Sequence, residues 1–98
     1  MSNERRTDDR VTTSLPARWE GMIDSEEPRI DDISLGGCFV NTRARVEMDE
    51  VVNLEVRFPS GEWLPLPGKV ISYQPGIGFG LSFTSLTDRE IDALQQLV

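Results

Sequence analysis

The sequence predicts an all-β fold closed by one C-terminal helix, with an antiparallel barrel of about six strands. Three observations carry this expectation. Apolar residues recur at every second position in several short segments, the period of a strand with one buried face. Gly and Pro cut the chain into pieces too short for most helices. Only the C-terminal segment changes to the period of an amphipathic helix.

Taken in order, residues 1–12 are polar and charged without amphipathic periodicity and read as a flexible arm, leaving 13–98 for the barrel and its helix. In the first expected strand Leu15, Ala17 and Trp19 point one way and Ser14, Arg18 and Glu20 the other. A second strand covers roughly Arg29 to Ile33, and a third runs from Gly37 through Val40. The fourth has the cleanest composition: Val52, Leu54, Val56 and Phe58 alternate with Asn53, Glu55 and Arg57. Pro59-Ser60-Gly61 supplies a turn. The next segment, Glu62 to Tyr73, contains Pro65, Pro67 and Gly68 and is expected to bend, since Pro cannot donate within a ladder. In the last strand Ile77, Phe79, Leu81 and Phe83 share one face, opposite Gly76, Gly78, Gly80 and Ser82. Thr87-Asp88-Arg89-Glu90 then fits a capping box, with Leu86 and Ile91 placed as a hydrophobic staple and Ile91, Leu94 and Val98 on one helical face.

Composition narrows the function. A chain of 98 residues fits one domain, and no apolar run approaches the ~20 residues of a membrane helix, so no membrane insertion is expected. The start shows no secretory signal, and the single cysteine, Cys38, cannot form an internal disulfide; both favour a cytoplasmic protein. A net charge of −7 argues against DNA or RNA as a partner, because binding their backbone needs a broad basic surface. There is no histidine, which removes the commonest general base and transition-metal ligand. Neighbouring acids such as Glu26-Glu27, Asp31-Asp32 and Asp49-Glu50 point to opposite faces of a strand and rarely converge on a substrate. The glycine-rich Gly76-Ile77-Gly78-Phe79-Gly80 lies in a strand with no helix start to hold phosphate. No catalytic or metal site is therefore expected. Trp19 and Cys38 read as core residues, and Trp63 as half-exposed.

Two motifs remain. The first is Arg6-Thr7-Asp8-Asp9-Arg10, an R-x-x-x-R with Arg5 directly ahead. The second is Asp32-Ile33-Ser34-Leu35-Gly36-Gly37, a D-x-S-x-x-G between two short strands. Alone, the first reads as a solvated, frayed terminus and the second as a plain turn. Their order is more informative: an arginine arm, a strand, D-x-S-x-x-G, a late strand Gly78-Phe79-Gly80-Leu81-Ser82-Phe83 and a capped helix. This order resembles the PilZ domain family across essentially the whole chain.

The resemblance implies a six-stranded split barrel that binds the bacterial second messenger cyclic di-GMP, with no cofactor and no enzymatic activity. Arg6 and Arg10 match the family's arginine motif, and Asp32, Ser34 and Gly37 its second motif. The residue types suit the ligand. Arginine's planar fork pairs bidentately with phosphate or with guanine O6 and N7. An ionised Asp32 accepts from guanine N1–H and N2–H₂, Ser34 donates or accepts close by, and Gly37 leaves room for the ligand. Asp8 and Asp9 are less typical and would weaken a phosphate site if turned inward. In this family an arginine in the place of Arg5 is associated with an intercalated dimer of cyclic di-GMP. Tyr73 is either an aromatic contact to a guanine or a rim tyrosine with its hydroxyl in water. The expected output is a conformational change read by an effector protein; the alternative is a PilZ-like adaptor that binds protein but not nucleotide.

Overall fold

Two breaks in the chain shape the sheet. A computed structural model describes residues 10–98. Its elements are β1 (Val11–Arg18), β2 (Arg29–Ile33), β3 (Gly37–Asn41), β4 (Val51–Val52), β5 (Glu55–Arg57), β6 (Trp63–Pro65), β7 (Gly68–Gln74), β8 (Gly78–Phe83) and α1 (Asp88–Leu97). The eight strands form one antiparallel array in the order β4-β7-β8-β3-β2-β1-β5-β6. Eight segments thus replace the six expected. The surplus arises at Asn53-Leu54, which divides β4 from β5, and at Leu66-Pro67, which divides β6 from β7. Pro67 has no N–H to give a ladder. The Leu66 N–H donates to the Leu54 carbonyl at 2.8 Å, so the two breaks face each other and the ribbon bends as one. β4 lies at one end of the array and β5 next to the other end, yet only two residues join them. The sheet must therefore curl, giving a half-barrel.

The first strand begins at Val11, so the last two residues assigned to the arm belong to the sheet. The expected alternation of the fourth strand holds through the bend: Val52, Leu54, Val56 and Phe58 are all buried. Inside the curl, cross-strand pairing lines up two apolar rows. One is Leu15, Ile30, Val40, Phe79 and Tyr73; the other is Val11, Ile33, Cys38, Leu81 and Val70. Trp19 packs edge-on against Phe79 with ring centroids 5.6 Å apart. Ile77, expected on this face, sits in the turn before β8 and is exposed.

Leu94 of α1 is fully buried in this core, with Leu86, Ala93 and Leu97 packed against it. The face that docks differs from the one expected, because Ile91 and Val98 are exposed. Glu90 explains the rotation. Its carboxylate accepts the Thr87 N–H at 2.8 Å and the Thr87 hydroxyl at 2.7 Å, and the side chain is buried in doing so. A cap acceptor held inward turns Ile91, about 100° further round the helix, toward solvent.

Candidate functional site

The outer face of the sheet is set by two β-bulges. Ile30 and Ile33 are both fully buried although three residues apart, which strict alternation forbids. The register shift between Ile30 and Asp32 resolves this: Asp31 is the extra residue, and Asp32 is turned outward. Across the sheet Asp32 then stands in one outward row with Thr12, Phe39, Gly80 and Ser72. Ile71 is the extra residue of the second bulge, between Val70 and Ser72, and its side chain is exposed.

Arg10, immediately before β1, reaches this row. Its Nε and Nη2 donate to Asp32 Oδ1 at 2.7 and 2.6 Å, and both side chains remain partly exposed. The ends of two motifs 22 residues apart in sequence therefore touch. Arg5 and Arg6, with Asp8 and Asp9, lie outside the described residues. Around the pair is an open cleft of about 520 Å³ whose walls include Ser34, Gly36, Phe39, Ile71 and Ser72.

Ser34 and Gly37 contribute differently from Asp32. The Ser34 N–H donates to the Gly37 carbonyl at 2.8 Å, and the Gly36 and Gly37 N–H groups each donate to Ser34 Oγ at 3.2 Å. Ser34 is buried, so its hydroxyl is engaged by the loop's own backbone rather than offered to a ligand. Gly37 is required by the neighbouring strand: a Cβ there would overlap the Leu81 carbonyl oxygen. Of the two loop glycines, Gly36 is the one with open space around it. Beneath the loop, burial pushes the Cys38 thiol up to about 12; Arg10 opposes this weakly and Asp32 adds to it. Such a thiol is not a nucleophile.

Residues 4–98 match the family model described as PilZ domain. The chain belongs to the PilZ domain family. Members of this family are receptor and adaptor modules rather than enzymes, and cyclic di-GMP is the ligand the family is associated with. Among solved structures, the Bacillus subtilis inhibitor of motility, MotI/DgrA, superposes with a TM-score of 0.78 at 18% identity. The match covers 97% of this chain but only 49% of MotI/DgrA, so the chain spans about half of that protein. It is a likeness of fold. No match is found among curated proteins.

In this PilZ domain the structure does not bring Tyr73 to Arg10 and Asp32. Alternation counted from buried Val70 would send Tyr73 outward, but the bulge at Ile71 shifts the count. Tyr73 lies opposite buried Phe79, packs against the core and lines a separate cavity of about 470 Å³ with Arg45, Glu47 and Glu50. The apolar residues that do line the Arg10–Asp32 cleft are Phe39 and Ile71, which the sequence reading passed over. A signal for Phe39 was present: Cys38 and Val40 point inward, so the residue between them points out. Among the described residues no group of three His, Cys, Asp or Glu side chains is placed to hold a metal ion, and no helix is long and apolar enough to cross a membrane.

Proposed function

We propose that this PilZ domain is a cytoplasmic receptor for cyclic di-GMP that signals to a partner protein. The observation that carries the reading is the meeting of Arg10 and Asp32 at one cleft. A guanidinium and a carboxylate side by side offer complementary groups to a guanine nucleotide. The carboxylate accepts from the N1–H and N2–H₂ edge, and the guanidinium takes phosphate oxygen or guanine O6 and N7. Arg10 and Asp32 bond to each other, so nucleotide binding would exchange one set of charge-assisted bonds for another. That exchange at Arg10 and Asp32 would give a partner a different surface to read. The fold-level likeness to an inhibitor of motility makes motility proteins the first partners to test.

Calorimetric titration with cyclic di-GMP tests this. Saturable heat, lost in Arg10→Ala and in Asp32→Ala, is the expected result. The stoichiometry distinguishes one nucleotide from the intercalated pair that Arg5 suggests. Absence of saturation at tens of micromolar ligand would overturn the reading in favour of a nucleotide-independent adaptor.

A further inference from the structure

Phe39 has an unusual setting for an aromatic residue on a sheet's outer face. Its cross-strand partners are Asp32 on β2 and Gly80 on β8. Two residues along β8, on the same face, is Gly78, where a Cβ would lie only 2.8 and 3.0 Å from Phe39 Cε2 and Cζ. The ring thus lies over bare strand backbone instead of interlocking with a neighbouring side chain, a contact that also shields the glycine. It is only half-buried, and what stays open lines the cleft. Directly opposite cross-strand residues have Cβ atoms about 5 Å apart, so Phe39 and Asp32 stand side by side on the outer face, and both line the cleft. Ile71 stands on the far side of Gly80, its Cγ1 being 3.6 Å from where a Cβ at Gly80 would be.

An aromatic face beside an outward carboxylate in an open cleft is a pattern for a planar heterocycle with N–H donors on one edge. The face stacks and the carboxylate accepts. An aliphatic ligand would need no aromatic face, and a sugar would not call for an N–H-accepting carboxylate aligned with it. A pyrimidine with the same edge would cover less of the ring. We infer that Phe39 is the surface on which a guanine base stacks while its N1–H and N2–H₂ edge is read by Asp32. This rests on the receptor reading above and adds to it a residue outside both sequence motifs.

The test compares the parent domain with Phe39→Tyr and Phe39→Leu in cyclic di-GMP titrations, with melting curves run alongside. Phe39→Tyr keeps the ring and should bind within about threefold of the parent. Phe39→Leu keeps apolar cover over Gly78 but removes the π-face, and should bind about tenfold more weakly. In the parent complex the guanine H8 proton should show an upfield ring-current shift, present in Phe39→Tyr and absent in Phe39→Leu. If Phe39→Leu is destabilised, the comparison of Phe39→Tyr with the parent and the H8 shift still decide. Parent binding that is saturable, with Phe39→Leu equal to it and no ring-current shift, would overturn the assignment of Phe39 and leave the receptor reading standing. Failure of the parent itself to saturate would overturn both.

Discussion

Adding one methyl group at each of two adjacent glycines should move stability in opposite directions. A Cβ at Gly37 would run into the Leu81 carbonyl oxygen, with Leu81 C at 3.3 Å and Ser82 Cα at 3.4 Å. The obstacle is backbone in the β3–β8 ladder and cannot rotate away, so the strands must shift. Overpacking of this kind costs about 1–3 kcal/mol. At 4–8 °C per kcal/mol for a domain of this size, Gly37→Ala should melt roughly 10 °C lower. At Gly36 no atom lies within 4 Å of the added methyl, and the backbone is outside the left-handed region. There the main effect is on the unfolded chain, which loses freedom, so Gly36→Ala should gain about 0.4–1 kcal/mol. Urea unfolding followed by circular dichroism and by tryptophan fluorescence measures both. A Gly37→Ala protein as stable as the parent would refute the close-approach account and return that glycine to a role in ligand contact.

Other substitutions separate binding from folding. Arg10→Ala should lower cyclic di-GMP affinity by about 2–4 kcal/mol, since it leaves a binding charge unpaired, while stability changes by less than about 1 kcal/mol because the Arg10–Asp32 pair is partly exposed; calorimetry and melting together check it, and a large loss of stability would contradict it. Glu26 is held below its ordinary carboxylate range chiefly by the Thr42 hydroxyl, against burial that raises it, with Arg43 backbone and side-chain N–H groups helping. Its folded pKa lies under its unfolded one, so its contribution is complete above the ordinary value of 4.5 and is lost as pH falls through the depressed one. Glu26→Gln should flatten this acid limb in urea titrations between about pH 6 and 3, and an unchanged limb would count against the Glu26–Thr42–Arg43 anchor. The Cys38 thiol should resist disulfide reagents in the native state and react at the rate of unfolding; rapid labelling of folded protein would show that the loop above it opens.

Much of the fold could be read from local patterns. The run Val52, Leu54, Val56 and Phe58 is buried as its period of two requires, and Pro59-Ser60-Gly61 forms its turn through the Gly61 N–H to the Phe58 carbonyl at 2.8 Å. The capping box at Thr87 and Glu90 was legible because it depends on residues three apart. What escaped depends on a partner strand. A bulge is one residue surplus to its neighbour's count, so the inversion of Tyr73 could not be seen from β7 alone. Ile30 and Ile33 did carry a hint, since two apolar residues three apart in a short strand cannot both face inward without a bulge. The inward turn of Glu90 on its cap bonds to Thr87, and with it the exposure of Ile91, is missed by a helical wheel that places only apolar residues inside. Of the candidate site, Arg10 and Asp32 come together at the cleft, whereas the space around Phe39 needed the glycines of β8 to be set in register beside it.

The D-x-S-x-x-G pattern contains residues of two physical kinds. Ser34 and Gly37 hold the loop in shape: one binds its backbone, the other lets β3 approach β8. Ile33 roots the loop in the core, and the bulge beside it turns Asp32 out. Of the motif's residues only Asp32 presents a charged group to the cleft, where it pairs with an arginine attached at the very start of β1. On the proposed receptor reading, loss of nucleotide binding would therefore have two distinct origins. Changes at Ser34 or Gly37 displace Asp32 by deforming the loop, and they carry a fall in melting temperature. Changes at Asp32 or Arg10 would remove a proposed binding group from a frame that stays intact. An intact motif in a PilZ sequence thus certifies the frame as much as the ligand contacts, and a melting curve measured beside each titration tells which of the two a given substitution has touched.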